Sequence, residues 1–178
     1  KGQDIALADR KQQMAFRNNA RIVFQNPYDA MNWKWTVRDI IGEPLKLQQK
    51  IHNGELSERV QELLQEVGLN PDSLHRYPRS FSGGQRQRIS IARAIALNPQ
   101  FILADEAVSA LDVSVQTQIV NLLISLREKY GLSYLFIGHG LNVVRHLSDR
   151  IGVMYLGKLV EVAPSNELSV SYTHLRAH

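Results

Sequence analysis

The sequence predicts an α/β fold with a parallel-strand core, an inserted α-helical subdomain and an antiparallel edge. Short apolar runs at 101–105 and 134–137 alternate with segments of helical spacing, a pattern typical of parallel strands joined by helices. The segments 151–155 and 158–162 flank Leu156-Gly157 and are expected to pair as a hairpin. The all-helical stretch from about 36 to 97 interrupts the alternation, so we interpret it as an inserted subdomain.

The composition supports a folded domain and excludes several kinds of protein. The chain has 178 residues, of which 44% are hydrophobic and 21% charged, values close to the globular average. The absence of cysteine excludes disulfide scaffolds, thiolate zinc sites and cysteine nucleophiles. The net charge of +4 is not gathered into a basic run, so charge alone indicates no nucleic-acid partner. Because the chain begins at Lys1 without a methionine, we expect native sequence upstream.

Individual elements follow from local patterns along the first half of the chain. Residues 21–24 read as a strand that ends at a polar loop containing Pro27. The apolar residues of 60–67 recur at helical spacing, with Gly68 as the stop. A second helix is expected over 85–97, where the glycine pair Gly83-Gly84 precedes it.

The second half alternates strands and helices. Residues 101–105 and 134–137 are predicted as strands buried on both faces. A helix is expected from about Val115 to Gly131, and a short helix over 141–147.

Two adjacent carboxylates end the first of these buried strands. Ligands of open α/β sheets bind outside the carboxyl ends of the strands, where Asp105 and Glu106 are expected. One acid at such a place can help to hold Mg²⁺ while its neighbour orients or deprotonates an attacking water. The pair alone is a common pattern and needs further motifs to support it.

A phosphate-binding loop of the form G-x-x-x-x-G-K-[S/T] is absent upstream of that strand. The near match from Gly152 to Lys158 has Leu159 in place of the hydroxyl residue. It also follows the acidic strand instead of preceding it, so we interpret this segment as the hairpin.

The segment Phe81-Ser82-Gly83-Gly84-Gln85 is a more specific indication of phosphate binding. Paired glycines let the backbone approach a ligand closely, and a helix that begins there directs free N–H groups outward. The alternative is a serine N-cap followed by glycines chosen for a turn.

Together these motifs resemble a known family. The run FSGGQRQRISIARAIALNPQFILADEAVSALD, residues 81–112, resembles the signature motif, Walker B strand and D-loop of ATP-binding cassette (ABC) ATPases. IVFQNPY resembles their Q-loop and FIGHG their switch-histidine loop, so the similarity covers roughly residues 1–165. The resemblance implies an ABC-type P-loop NTPase domain over 1–168 that is incomplete at its N-terminus. In this interpretation 36–97 is the signature subdomain, 98–165 holds the Walker B and switch parts, and 169–178 is a tail of unknown or foreign origin.

The resemblance implies roles for four residues at the strand ends. Gln25 would contact Mg²⁺ or the lytic water, and Asp105 would hold Mg²⁺ through water. Glu106 would be the general base. His139 would contact the γ-phosphate of ATP and orient the attacking water.

The resemblance also implies a site shared between two subunits. Ser82, Gly83, Gly84 and Gln85 would bind the γ-phosphate of an ATP molecule lodged in the opposite subunit. Asp112 would cross the dimer interface, and the alternative is that Asp112 caps the helix before Val115.

Within the ABC group, NPYDAMNW and ADEAVSALDVSVQTQIVNLL resemble the ATPases of importers for oligopeptides, dipeptides, nickel and glutathione. This implies an ATP- and Mg²⁺-dependent ATPase subunit, peripheral on the cytoplasmic face of the inner (cell) membrane. Its expected partners are a second ABC subunit, in a homo- or heterodimer, and transmembrane permease subunits, with no direct contact to nucleic acid. The chain alone is predicted to be inactive, because Walker A is absent from it.

Two other functions stay open. A catalytically inactive ABC dimerisation or regulatory module is favoured by the absent phosphate loop and by Gly138 and Gly140, which replace polar anchors around the histidine. A soluble ABC ATPase outside transport is the other alternative. The family's proline after the Walker B glutamate is Ala107 here, which we expect to loosen that turn.

Overall fold

The computed structural model describes residues 5–49, 51 and 53–168. The predicted tail at 169–178 lies outside these residues. The described chain is organised around a three-stranded sheet, a group of helices inserted after the first strand, and a hairpin. The helices are α1 Arg10–Asn19, α2 Pro27–Ala30, α3 Val37–Gln49, α4 Asn53–Glu66, α5 Gly83–Ile95, α6 Val113–Tyr130 and α7 Leu141–Leu147, with 3-10 turns at Ile5–Leu7, Pro71–His75 and Pro78–Ser80; the strands are β1 Ala20–Val23, β2 Phe101–Asp105, β3 Ser133–Ile137, β4 Arg150–Tyr155 and β5 Lys158–Pro164.

The central sheet has the order β1-β2-β3, and both of its strand pairs are parallel. Val23 pairs with Ala104, and Asp105 pairs with Ile137, so the three strands end at nearly the same level. The predicted α/β class with a parallel core is confirmed. The predicted antiparallel pair also forms, and among the described residues β4 and β5 make a two-stranded sheet of their own.

The near match to a phosphate-binding loop, from Gly152 to Lys158, lies in the β4–β5 hairpin. Leu156 and Gly157 both have positive φ, at 47° and 75°. Two consecutive residues with positive φ are typical of the tight turns whose twist matches that of the flanking strands.

The strands are buried on one face only, which differs from the prediction of burial on both. Ile102 and Ala104 of β2 are fully buried, whereas Phe101 and Leu103 between them are half-buried. In β3, Leu135 and Ile137 are exposed. The reason is that the hydrophobic core of the described residues lies against one side of the sheet, so alternate side chains point away from it.

The stretch predicted to be helical contains helices α3, α4 and α5 with two 3-10 turns. Their apolar stripes pack together, which places the side chains of Ile41, Leu63, Leu64, Ile89 and Ile91 out of contact with solvent. The buried Val23 of β1 and Ile102 of β2 belong to the same core, so the helical group and the sheet share one hydrophobic interior.

Candidate functional site

The carboxyl edge of the central sheet brings distant residues together. Gln25 follows β1 by two residues, Asp105 ends β2, and His139 follows β3 by two residues. Because the strands are parallel and in register, their ends meet along one edge, which is where open α/β sheets bind ligands.

No helix within the described part of the chain is long and apolar enough to cross a membrane.

One carboxylate oxygen is the centre of this group. The side-chain amide of Gln25 donates a hydrogen bond of 2.7 Å to Oε2 of Glu106. The Nδ1 atom of His139 lies 3.7 Å from the same oxygen. Three residues predicted to act together, separated by up to 114 positions in the sequence (139 − 25), therefore converge on one atom.

The backbone around Glu106 is held in an unusual conformation. Its φ is 46°, a region that residues other than glycine rarely adopt. Three hydrogen bonds hold it: the Glu106 N–H donates to the Ile137 carbonyl at 2.9 Å, and the Glu106 carbonyl accepts from the Ser109 hydroxyl at 2.9 Å and from the Ser109 N–H at 3.0 Å. Strained backbone of this kind persists where surrounding contacts fix it, and it is common at functional sites.

Ser109 is a member of the group that the sequence reasoning did not single out. Besides its bond to the Glu106 backbone, its hydroxyl accepts a hydrogen bond of 3.1 Å from the Gln25 amide. Gln25, Glu106 and Ser109 thus form a closed set of hydrogen bonds. The available signal was a serine three residues after a candidate base, a spacing that suits a hydroxyl bonding back to a turn.

A small cavity of about 50 Å³ lies beside this set. Glu106, Ser109, His139 and Gly140 are among the residues that line it. A cavity of this size is large enough to hold a water molecule, and Glu106, Ser109 and His139 supply polar partners for one. The imidazole of His139 is 73% exposed, so the cavity opens toward solvent on that side.

Asp105 stands at the exposed end of β2. Among the described residues there is no group of three or more His, Cys, Asp or Glu side chains placed to hold a metal ion. The single carboxylate of Asp105 is compatible with Mg²⁺ that is bound together with phosphate oxygens. Mg²⁺ keeps several waters and is commonly held by one or two protein ligands plus substrate phosphates.

A second group lies at the beginning of α5. Ser82 is the N-cap of this helix, and its Oγ accepts a hydrogen bond of 3.3 Å from the Gln85 backbone N–H. The Gln85 side chain in turn accepts a hydrogen bond of 3.0 Å from the Ser82 N–H. The helix begins at Gly83, two residues earlier than predicted, so the glycine pair forms its first turn. The N–H groups of Gly83 and Gly84 have no acceptor within the helix and are available to an anion.

The two glycines differ in how closely their neighbours approach them. A Cβ atom at Gly84 would lie 2.5 Å from Cγ1 of Val115 in α6, so Gly84 is required by the close packing of α5 against α6. A Cβ at Gly83 would meet only Leu111, at 3.5 Å. The glycine pair that suggested phosphate contact therefore also has a packing function at its second position.

Asp112 occupies the N-cap position of α6, but its side chain makes no capping hydrogen bond. It is exposed. The helix-cap alternative is therefore not realised by the side chain, and the dimer-contact role stays a prediction.

Cation–π and buried polar contacts tie α5 to the loop after Gln25. The Arg86 guanidinium lies 4.5 Å from the Tyr28 ring centroid, and Tyr28 stacks on Trp33 at 4.3 Å. Gln87 is buried and its side chain donates a hydrogen bond of 3.3 Å to the Phe24 carbonyl. The sequence reasoning missed the contacts of Arg86 and Gln87, since partners more than 50 residues apart leave no local pattern.

The Glu106 group and the α5 group are separate within the chain. None of the described hydrogen bonds or ion pairs joins Gln25, Glu106, Ser109 or His139 to the segment 82–85. Both groups contain polar atoms that could bind phosphate oxygens, but no described hydrogen bond connects one group to the other.

A protein family, curated proteins and a solved structure are similar to this chain. Residues 1–109 match the protein family described as ABC transporter. The chain is 53% identical over 169 residues to the oligopeptide transport ATP-binding protein AppF of Bacillus subtilis (strain 168), a match that covers 94% of this chain and 51% of AppF. It is 43% identical over 173 residues to the di/tripeptide transport ATP-binding protein DppF of Pseudomonas aeruginosa (strain UCBPP-PA14), covering 97% and 54% of the two chains.

The chain spans about half the length of the curated relatives it matches. It is also similar in structure to cbiO1 of Clostridium perfringens, described as part of the ABC transporter complex cbiONQ. The TM-score is 0.81 at 23% sequence identity, with 94% of this chain and 66% of the other covered. That similarity establishes the fold.

Proposed function

Because the chain belongs to the ABC transporter family, we propose that it is the ATP-binding and ATP-hydrolysing part of an importer for peptides or related small solutes. The names of its relatives support this choice of cargo, since they are transport proteins for oligopeptides and di- or tripeptides. The observation that carries the proposal is the convergence of Gln25 and His139 on Oε2 of Glu106.

The chemistry follows from what each side chain can do. Glu106 accepts a proton at Oε2 from a water in the adjoining cavity, while Gln25 fixes the orientation of its carboxylate and Ser109 holds its backbone carbonyl. His139 holds the water from the exposed side. ATP with Mg²⁺ supplies the γ-phosphoryl group that the water attacks.

The side-chain and backbone donors and acceptors at the two groups suit Mg²⁺ and the γ-phosphate of ATP. Asp105 and Gln25 would hold Mg²⁺, which the exposed carboxylate at the end of β2 permits. The free N–H groups at Gly83 and Gly84, with Ser82 and Gln85, would bind a γ-phosphate. These donors belong to a group separate from Glu106, which supports a head-to-tail dimer where the γ-phosphate is bound by α5 of the opposite subunit and Asp112 crosses the interface.

The proposed partners are a second ABC ATPase subunit and transmembrane permease subunits. The similarity to a component of an ABC transporter complex supports this proposal. The location we propose is therefore peripheral, on the cytoplasmic face of the membrane that holds the permease.

An inactive dimerisation or regulatory module is the second candidate. The observation in its favour is that His139 is mostly exposed and, at 3.7 Å, lies beyond hydrogen-bond distance of Glu106. In that case the site would bind nucleotide without turnover.

Both candidates are tested in a chimera of B. subtilis AppF in which this chain replaces the segment it matches. We expect ATP hydrolysis by the chimera, and Glu106→Gln should lower kcat at least about 100-fold by removing the base. Glu128→Gln, an exposed acid in α6, is the matched control and should leave kcat unchanged.

Binding and dimerisation give a second readout. Glu106→Gln should still bind ATP and stay dimeric with Mg-ATP in size-exclusion chromatography, whereas Asp105→Asn should weaken the Mg²⁺ dependence of binding. Nucleotide binding without hydrolysis by the parent chimera would instead support the inactive module. A monomeric Glu106→Gln variant at saturating ATP would contradict the shared site.

A further inference from the structure

A cavity of about 460 Å³ lies where β1 meets the helical group. Its walls come from the end of α1, from β1, from the second half of α3 and from α5. The cavity shares no lining residue with the Glu106 cavity. Its volume is in the range of sites that hold small organic ligands.

Positive charge predominates on the cavity wall. Arg17, Arg21 and Arg93 line it together with one acid, Glu43. Glu43 is already engaged, because its carboxylate pairs with Arg93 at 2.5 Å. Three guanidinium groups therefore share one carboxylate, which leaves an excess of two positive charges.

Among the described residues, the positive charge of Arg21 has no carboxylate paired with it. Its Nε and Nη2 atoms are shielded from solvent and have no hydrogen-bond partner among the described residues. Burial, and then the nearby charge of Arg93, lower the pKa of Arg21 below its ordinary value. A partly buried guanidinium that faces another cation and has unsatisfied donors is unfavourable unless an anion compensates it.

Apart from Gln48 and Ser90, the remaining lining residues are apolar. Ile22 of β1 is 48% exposed, Phe24 directly after β1 is 47% exposed, and Leu47 of α3 is 75% exposed, although all three line the cavity. Such side chains can cover the apolar body of a ligand whose charged end reaches the arginines.

We propose that this cavity binds a small phosphate monoester with an apolar or aromatic body, whose phosphate is held by Arg21 with help from Arg17 and Arg93. A phosphate dianion matches the excess of two positive charges, and guanidinium groups bind phosphate oxygens in a bidentate way. The apolar body would lie against Phe24, Ile22 and Leu47.

The test uses the 178-residue chain and two probes, inorganic phosphate and phenyl phosphate, in isothermal titration calorimetry. We expect phenyl phosphate to bind more tightly than inorganic phosphate. Arg21→Gln should weaken phenyl phosphate binding at least about tenfold, the loss of one charge-assisted interaction. Arg17→Gln, at an exposed position, should weaken it several-fold.

Arg10→Gln is the matched control, since Arg10 is exposed on α1 and does not line the cavity. It should leave the affinity unchanged. Equal affinity for the two probes would contradict the apolar contact. Binding that survives both Arg21→Gln and Arg17→Gln would place the phosphate elsewhere and overturn the proposal.

A thermal-melting experiment gives an independent readout. Phenyl phosphate should raise the Tm of the parent chain and have no effect on Arg21→Gln. Without ligand, Arg21→Gln should melt at the same or a higher temperature, because it removes an uncompensated charge. A markedly lower Tm would mean that the guanidinium is already satisfied, which would also overturn the proposal.

Discussion

The beginning of α5 and the group around Glu106 are two regions of the same molecule that are held in place in different ways. At α5, Ser82 and Gln85 bond each other across three residues, and Gly84 packs closely against Val115. Around Glu106, hydrogen bonds join Gln25 to Glu106 and Ser109, which lie 81 and 84 positions further along the chain. The imidazole of His139 is mostly exposed. The first region is fixed by its own sequence and by helix packing, and the second by the alignment of separate strands.

This difference has a consequence for how each region tolerates change. A capped helix that packs against a second helix is rigid, so substitutions there are expected to reduce stability. The Glu106 group has few packing contacts on its open side, so substitutions there are expected to alter activity with little effect on stability. Three substitutions test the comparison, and a fourth tests a charged contact in α3, which lies outside both regions.

The largest effect is expected for Gly84→Ala. The added methyl group would lie 2.5 Å from Val115 Cγ1, and a β-branched side chain in a helix has little rotamer freedom to move away. Urea denaturation should show a loss of about 2 kcal/mol in the free energy of unfolding.

Two variants serve as controls for Gly84→Ala. Gly54→Ala lies in α4, where an added Cβ meets nothing within 4 Å, and should be neutral or stabilising by about 0.5 kcal/mol. Combining Gly84→Ala with Val115→Ala should recover most of the loss. Equal stability of Gly84→Ala and the parent would break the comparison, since α5 would then not be tightly packed.

Ser82→Ala should give the next largest effect. It removes the side-chain acceptor of the Gln85 N–H, and the loss of an N-cap costs about 1 kcal/mol. Ser114→Ala, an exposed serine in the first turn of α6, is the matched control and should change the free energy of unfolding by less than about 0.5 kcal/mol. A loss no greater than that of the control would show that the capping box does not stabilise α5.

Gly140→Asp tests the open region. Gly140 is the N-cap of α7 and makes no side-chain capping bond, its φ is not positive, and an added Cβ has Val143 as its nearest neighbour at 3.8 Å. Aspartate is therefore accommodated there and should stabilise α7 by a few tenths of a kcal/mol. In the AppF chimera we also expect a several-fold increase in kcat, about 1 kcal/mol of barrier, because the loop that holds His139 becomes less free.

The dependence on His139 is the check on this third prediction. In the background of His139→Ala, Gly140→Asp should stabilise α7 equally but no longer raise kcat. Unchanged kcat in the chimera would mean that His139 is already well placed, and the Glu106 region would then be as rigid as α5.

The smallest effect concerns pH. Hydrogen bonds from Thr36 and Lys46 lower the pKa of Asp39 in the first turn of α3. Since the pKa is lower in the folded chain, the unfolded chain binds more protons near it, so the contribution is present above about pH 4 and is lost as pH falls. Asp39→Asn should lose a few tenths of a kcal/mol at pH 7, a small effect because Asp39 is partly exposed, and its difference from the parent chain should decrease as the pH falls below about 4. A loss that stays the same throughout this acid range would contradict an electrostatic origin.

The sequence by itself determined the parts of the molecule that depend on neighbouring residues. The helix starting at the glycine pair, the strand Phe101–Asp105, the end of α6 at Gly131 and the turn at Leu156-Gly157 all agree with their patterns to within two residues. Caps, turns and periodicity act over a few residues, so the information they need is local. The family motifs in addition predicted that Gln25, Glu106 and His139 belong to one site.

Only the tertiary structure decided how distant residues meet. Ser109 joins the Glu106 group because the register of β1, β2 and β3 brings the Gln25 amide to it, and Gly84 is required because α6 passes beside α5. The exposure of Leu135 and Ile137, and the uncompensated charge of Arg21, depend on which elements cover each face. Burial and register are properties of packed elements, and no local pattern in the chain encodes which partner each surface meets.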